Sequence, residues 1–279
     1  MSAGVRLFRG ARPVDAVAPD DRGLAYGDGL FETMRVHAGT VPWWDAHWSR
    51  LSLGAARLSI ALPDAGQVRA EAGSLFDDGA HGVLKLLLTR GGSARGYAPI
   101  DGAEPSWMLA RHPLPAPAAS ARAIWCDTRL ALQPALAGIK HCNRLEQVLA
   151  RAECVAAGAD EGLMCDGQGT VVSATSANLF VLRDGRWLTP PIDRCGVAGT
   201  CRAILLPALD AREQRLQRGD VERADAVFLC NAVRGILPVA RLGARTWELH
   251  PALAQAHAAL GRSHPGFAPG QSASAMEAG

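Results

Sequence analysis

Hydrophobic periodicity divides the chain into stretches of different character. Val5 to Arg9 and Phe31 to Val36 carry the short apolar runs of strands. Asp21-Arg22-Gly23-Leu24-Ala25-Tyr26-Gly27-Asp28-Gly29 leads into the second run, and its glycines permit close backbone packing. A hairpin partner is expected after His37-Ala38-Gly39-Thr40. Asp45 to Leu58 has helical spacing, with Ala46, Leu51, Leu53, Ala55 and Leu58 as expected packing positions and Arg50, by position alone, as a surface cation. Val-Leu-Lys-Leu-Leu-Leu, between Gly82 and Thr89, is too continuously apolar for a one-sided strand and reads as a central strand buried on both faces. Lys85 interrupts it and is expected to reach solvent along its alkyl stem, with amine chemistry as the alternative. The cationic loop Arg90-Gly91-Gly92-Ser93-Ala94-Arg95-Gly96-Tyr97 follows at a strand end, a position where loops often face a ligand.

Trp107 to Ala110 reads as another strand, and the Pro- and Ala-rich segment from His112 to Ser120 is the clearest linker. Regular structure restarts at Ala123 to Cys126. Asn143 with Glu146 fits a capping-box pattern, and Leu145, Val148, Leu149 and Ala152 share one face of the helix that should follow. Beyond Gly158 the chain turns β-rich: Glu161 to Cys165, Thr170 to Val172, and Asn178 to Leu182, with Asp184-Gly185 as a hairpin turn before Arg186 to Leu188. Gly196 to Arg202 opens a helix, and the apolar strand Asp225 to Cys230 runs into Asn231-Ala232-Val233-Arg234-Gly235. These signals give an N-terminal α/β domain at residues 1–111, a linker at 112–122, a larger β-rich domain at 123–262 and an unstructured tail at 263–279.

Composition excludes more than it adds. A 48% hydrophobic and 20% charged composition is ordinary for a globular protein, and a net charge of +2 makes no case for nucleic acid or an anionic membrane. Neither a signal-peptide run nor a bilayer-spanning segment is visible, so a cytoplasmic location is expected. Seven cysteines without a CxxC pair or zinc-type spacing read as reduced thiols, and no metal is expected. One compositional fact does alter the picture. Arginine supplies 27 of the 29 basic residues, so amine chemistry has two candidates, Lys85 and Lys140.

Lys140 lies just ahead of a helix, where the helix dipole and partial burial both disfavour the charged amine, as a lysine that condenses with an aldehyde requires. The helix start at Gly196 to Arg202 offers free amides to a phosphate, and the Asn231-Ala232 turn offers a second anion-binding loop. An aldehyde-reactive lysine and two phosphate-holding turns together suit an aldehyde cofactor with a phosphate tail, pyridoxal 5'-phosphate (PLP).

Seven blocks in this order also resemble a known family. They are Tyr26-Gly-Asp-Gly-Leu-Phe-Glu32, His47-x-x-Arg50-Leu51, Arg95-Gly-Tyr97, Ala137-Gly-Ile-Lys-His-Cys-Asn-Arg-Leu-Glu-Gln-Val-Leu-Ala-Arg151, Ser176-Ala-Asn-Leu-Phe180, Gly196-Val-Ala-Gly-Thr-Cys-Arg202 and Cys230 to Val239. Spanning roughly residues 20 to 240, they resemble the branched-chain-aminotransferase-like, fold type IV class of PLP enzymes. The resemblance implies an α+β, two-domain architecture like that of D-amino acid aminotransferase, and a homodimer. It implies that Lys140 binds the cofactor's aldehyde and later moves the substrate proton, and that Arg50 binds the phosphate with the amides of Thr200 and Cys201 and the Asn231-Ala232 turn. The Ala137–Arg151 block points to the lyase of the class, which forms 4-aminobenzoate and pyruvate from 4-amino-4-deoxychorismate. A D-amino acid or branched-chain aminotransferase is the alternative. Arg35, Arg95, Tyr97 and Arg234 are the candidates for the small-molecule substrate, the first two and Arg234 as partners for its carboxylates.

The family pattern breaks at Ser173. Where the class usually carries a glutamate beside the pyridine nitrogen, this chain reads Val171-Val172-Ser173-Ala174-Thr175-Ser176. A hydroxyl can hydrogen-bond to that nitrogen but cannot hold it protonated as a carboxylate does, so a weaker electron sink is expected. Two readings follow: a catalytically impaired PLP-binding homologue, or a lyase whose aromatising elimination tolerates a weak sink and suppresses amino transfer.

Overall fold

The computed structural model describes residues 4–92, 96–99 and 102–268. Two compact units divide the chain: Met1–Leu114 with Ile139–Asn143, and Pro115–Gly138 with Arg144–Gly279. The segment around Lys140 thus belongs to the first unit, although it lies well past the linker in sequence.

The first unit contains β1 (Val5–Arg9), β2 (Arg12–Pro13), α1 (Arg22–Tyr26), β3 (Gly29–Val36), α2 (Trp44–Leu58), α3 (Ala65–Ser74), β4 (Gly82–Thr89) and β5 (Ser106–His112). Its sheet has the order β2-β1-β5-β4-β3 and is antiparallel throughout. One face is the core: Leu30, Met34, Leu84, Leu86, Leu88 and Leu109 pack with Leu51 and Ala55 of α2. The other face is half-buried, and Lys85 and Leu87 lie on it, so β4 is not buried equally on both sides as its run of apolar residues suggested. The expected hairpin partner after Thr40 is absent. His37 and Thr40 form an isolated bridge, α2 follows at once, and β3 pairs with β4 instead. On α2 the packing positions are Trp44, His47, Leu51, Gly54 and Ala55, while Leu53 is 65% exposed. The buried stripe is rotated from the expected one because it must face β3.

The second unit contains β6 (Ala121–Trp125), α4 (Leu145–Ala156), β7 (Glu161–Cys165), β8 (Val171–Ala174), β9 (Asn178–Arg183), β10 (Arg186–Thr189), α5 (Thr200–Ala208), β11 (Arg212–Glu213), α6 (Arg218–Glu222), β12 (Ala226–Asn231), β13 (Gly235–Leu242), β14 (Arg245–Thr246) and α7 (Leu253–Ser263). Its sheet runs β11-β10-β9-β12-β13-β6-β7-β8, with β14 on β13. The Asp184-Gly185 turn is as expected, both residues having positive φ between antiparallel β9 and β10. Leu163, Leu179, Val181, Val227 and Leu229 form the core of this unit, and α5 packs against α7 and β12.

Two expectations change here. The tail does not begin at 263: Pro265–Phe267 forms a short 3-10 turn, and His264, 1% exposed, accepts the Gly266 N–H through Nδ1 at 3.0 Å. The presumed packing face of α4 is exposed, with Leu145 at 77% and Val148 and Leu149 at 59%. No described helix is long and apolar enough to cross a membrane.

Candidate active site

Lys140 is seated by strand pairing. The Phe31 amide donates to the Lys140 carbonyl at 3.0 Å, the Cys142 amide donates to the Gly29 carbonyl at 2.9 Å, and Leu30 bridges His141. Glycine is required on the β3 side of this contact. A Cβ at Gly29 would lie 2.6 Å from the Leu88 carbonyl oxygen, and Gly27, with φ of 65°, would bring one to 2.7 Å from Asn143 Oδ1. Asn143 does not cap the next helix. Its Nδ2 donates to the Gly27 carbonyl at 3.1 Å, α4 begins at Leu145 without a side-chain cap, and the Glu146 carboxylate accepts the Ala131 amide at 2.8 Å. The capping-box expectation is therefore corrected, because a long-range partner takes the Asn143 side chain. The Lys140 ammonium lies 4.1 Å from the centroid of the Phe31 ring, at cation–π distance.

Arg50 is no ordinary surface cation. Its Nε donates to Glu32 Oε1 at 2.8 Å and its Nη2 to Glu32 Oε2, while His47 Nδ1 contacts the same Oε2 at 2.6 Å. One helical turn separates His47 from Arg50, so α2 presents both to one carboxylate on β3. Glu32 and His47 are each 1% exposed. Burial by itself would raise the Glu32 pKa, but the Arg50 charge and the hydrogen bonds from His47 and Arg50 overcome it and hold the carboxyl at about 2. The acceptor being ionised, His47 Nδ1 carries the hydrogen. Glu32 and His47 had no role in the sequence reading, although both stand inside its motifs.

In the second unit, the loop before α5 has the features of an anion cradle. Gly196 has φ of 86°, and a Cβ at Gly199 would lie 2.0 Å from Asn178 Oδ1. Asn178 Nδ2 in turn donates to the Val197 carbonyl at 3.0 Å. Gly199 caps the helix without a side chain, and Thr200, 5% exposed, points a buried Oγ1 that meets no hydrogen-bonding partner among the described residues. A buried, unsatisfied hydroxyl at an open helix start fits a phosphate oxygen. Cys201 can contribute only backbone there. Its thiol is fully buried, and burial together with the hydrogen bond to Cys230 pushes its pKa well above the usual thiol range.

The Asn231 side chain builds its own turn. Oδ1 accepts the Val233 amide at 3.0 Å and the Arg234 amide at 2.8 Å, and Nδ2 donates to the Ser176 carbonyl at 3.3 Å. Ala232, inside that turn, is buried. Ser173 is half-buried on β8 opposite Met164, so no carboxylate stands across the strand from it.

The described substrate candidates each have their own setting. Arg35 lies on the half-buried face of the first sheet, in line with Phe31 and Thr33. Arg234 Nη1 donates to the Ala116 carbonyl at 3.0 Å. Tyr97 is 84% exposed, its ring 5.3 Å from that of Tyr26. Arg95 lies outside the described residues. Sequence reasoning missed Arg22, which is 4% exposed and fixes the loop carrying Tyr97 by donating to the Gly96 carbonyl at 3.0 Å and the Tyr97 carbonyl at 2.8 Å. Asp28 anchors Arg22 and Arg90, both at 2.8 Å. Burial opposes ionisation of Asp28, yet hydrogen bonds from Arg90 and Arg22 keep its pKa below the usual carboxylate range. The charged pair flanking the glycine-rich run was the available signal.

Comparison with known proteins bears on the chemistry these parts can perform. The family model described as amino-transferase class IV matches residues 29–242. An aminodeoxychorismate lyase of Vibrio harveyi is 34% identical over 244 residues, covering 83% of this chain and 89% of the relative. The crystal structure of 4-amino-4-deoxychorismate lyase from Pseudomonas aeruginosa superposes with a TM-score of 0.84 at 41% identity, covering 92% of this chain and 98% of that one. A D-alanine aminotransferase of Bacillus licheniformis is 27% identical over 255 residues, covering 86% of this chain and 89% of the relative.

Proposed function

Because the chain belongs to the amino-transferase class IV family, of fold type IV and PLP-dependent, we propose that it is a lyase converting 4-amino-4-deoxychorismate to 4-aminobenzoate and pyruvate. The observation that carries the reading is near full-length similarity to two proteins named for that activity, at 34% and 41% identity. Bound PLP supplies an electron sink that acidifies the ring C–H beside the substrate nitrogen. Lys140 would hold the cofactor through its amine and would take that proton at Nζ, and the pairing of its backbone with β3 anchors the segment that carries it. Loss of the proton expels enolpyruvate from the adjacent carbon; enolpyruvate tautomerises to pyruvate, and the ring becomes aromatic. Arg50, oriented by Glu32, would bind the phosphate, as would Thr200 through its hydroxyl and amide and Cys201 and Ala232 through their amides. Ser173 would offer the pyridine nitrogen a hydrogen-bonding hydroxyl in place of a carboxylate, and aromatisation would make a weak sink sufficient for elimination.

Similarity to a D-alanine aminotransferase supports amino transfer as the second reading. The two are separated by incubating the protein with PLP and aminodeoxychorismate in the absence of a keto acid. Equimolar 4-aminobenzoate and pyruvate are expected, and their absence alongside turnover with D- or branched-chain amino acids would establish the transferase instead. Lys140→Ala should abolish both activities and the borohydride-sensitive visible band. The working form is a homodimer located in the cytoplasm; the exposed stripe of Leu145, Val148, Leu149 and Val155 on α4 supports a self-association surface.

A further inference from the structure

The connection from β8 to β9 is three residues long, Thr175, Ser176 and Ala177. It carries the chain from the strand at the end of the second sheet, beside β7, to one that lies between β10 and β12. None of the three residues is glycine and none has positive φ, so no glycine-type backbone conformation makes this turn. A buried acidic side chain holds it instead. Glu161, the first residue of β7, is 6% exposed. Its Oε1 accepts the Thr175 hydroxyl and also the Gly162 amide at 3.0 Å, and its Oε2 accepts the Ser176 hydroxyl at 2.6 Å. The Thr175 amide donates in turn to the Gly162 carbonyl at 3.0 Å. Among the described residues no cation pairs with Glu161, although a buried acidic side chain is normally matched to one. Both of its oxygens serve one short connection.

That connection touches both phosphate-holding turns. The Ser176 carbonyl accepts Asn231 Nδ2 at 3.3 Å, while Asn231 Oδ1 takes the Val233 and Arg234 amides, so the turn closes on Asn231 and the Ala232 amide is in none of these bonds. Strand register places Asn178 opposite Cys230, which brings Ser176 level with the Asn231 turn. Asn178, the residue after the connection, donates through Nδ2 to the Val197 carbonyl at 3.0 Å and packs against Gly199 at the opening of α5. One serine thus links the acidic side chain, through its hydroxyl, to the Asn231 turn, through its carbonyl. A shift of Ser176 moves Asn231, and with it the Ala232 amide.

We infer that Glu161 is a positioning residue for the cofactor phosphate: through the Thr175 and Ser176 hydroxyls it fixes the Ser176 carbonyl, and through Asn231 the turn that presents the Ala232 amide. The inference rests on the reading of that turn as a phosphate holder and identifies what keeps it in place. Glu161 touches no cofactor atom in this scheme, so its effect falls on the phosphate and spares the rest of the cofactor. Acceptor geometry matters more than charge here. Both side-chain partners are hydroxyls, which can donate to an amide oxygen and accept from an amide nitrogen as well.

Glu161→Leu keeps the bulk of the side chain and removes both acceptors; Glu161→Gln keeps one acceptor and sets an amide donor against the other hydroxyl. Fluorescence titration of the full chain with PLP and with pyridoxal, which has no phosphate, reads the effect without turnover. Glu161→Leu should weaken PLP binding about tenfold and pyridoxal binding less than about twofold, and Glu161→Gln should keep PLP within about threefold of wild type. Ser176→Ala, at an exposed position, removes only the hydroxyl link and should weaken PLP about threefold. Glu161→Leu combined with Ser176→Ala should lose no more than Glu161→Leu alone, because the two act along one path. Phosphorus NMR of bound PLP adds a second readout: the phosphate resonance should move in Glu161→Leu and Ser176→Ala and return towards its wild-type position in Glu161→Gln. Equal losses for PLP and pyridoxal in Glu161→Leu, or additive losses in the double variant, would overturn the inference. If Glu161→Leu does not fold, Ser176→Ala decides, and an unchanged PLP affinity with an unmoved phosphate resonance would overturn it. Asn231→Ala separates the inference from the reading beneath it. PLP affinity unmoved by Asn231→Ala would sink the turn as a phosphate holder and the inference with it, whereas a loss in Asn231→Ala with none in Glu161→Leu or Ser176→Ala would remove only the role of Glu161.

Discussion

Glu32 organises more of the first unit than its place inside the Leu-Phe-Glu run suggests. It receives the Nε edge of Arg50 and the Nδ1 of His47 from one turn of α2, and so fixes the plane of the guanidinium. The dependence can be separated from simple folding. Glu32→Gln should weaken PLP affinity about tenfold, the scale of a charge-assisted hydrogen bond, while leaving the affinity for pyridoxal, which has no phosphate, nearly unchanged. Fluorescence titration with both ligands reads the difference, and equal losses for the two would remove the link to the phosphate. The same residue sets a pH dependence. With a folded-state pKa of about 2 against an ordinary 4.5, its ionised form stabilises the fold above about pH 4.5, and that contribution is lost as pH falls towards 2. Acid unfolding of Glu32→Gln, followed by circular dichroism, should therefore be less steep than wild type across that window. Sequence could name Arg50 through the His-x-x-Arg motif but could not show its carboxylate partner, which sits 18 residues away on another element.

At the scale of elements, α4 and α5 show two ways in which periodicity falls short. Apolar spacing on α4 marks a real stripe, but periodicity says only that residues share a face. It does not say whether the chain's own core covers that face, and here Leu145, Val148, Leu149 and Val155 remain exposed. If that stripe joins two copies, Leu149→Glu should shift the protein to monomer in sedimentation velocity while its melting profile stays close to wild type, since the side chain is 59% exposed in one chain. A Leu149→Glu protein that remains dimeric would move the self-association surface elsewhere. For α5 the sequence identified the glycine-led start correctly, because glycine and a small polar residue at a helix opening carry local information. The buried, unsatisfied hydroxyl of Thr200 depends on what packs around it, and that is not local.

Across the whole molecule, the seven cysteines test how completely each unit closes its core. All are free, six are buried, and Cys142 is intermediate. Burial pushes the Cys126 thiol up to about 12 and Cys195 up to about 11, so neither supplies thiolate at neutral pH. Titration of the native protein with a disulfide reagent should give at most one rapidly reacting thiol, and seven after denaturation. Several fast thiols would show that the units open readily.

The sequence by itself determined most strands, the turn at Asp184-Gly185 and the glycine-led opening of α5, because alternation, turn chemistry and short motifs are properties of neighbouring residues. Tertiary structure alone decided which side chains those elements turn toward one another. Asn143 left its helix for the Gly27 carbonyl, α2 rotated its buried stripe toward β3, Arg50 met Glu32, and Lys85 joined Lys140 at Phe31. Each of these is a pairing between residues far apart in the chain, fixed by sheet register and by the need to partner buried polar groups, and no local pattern encodes either.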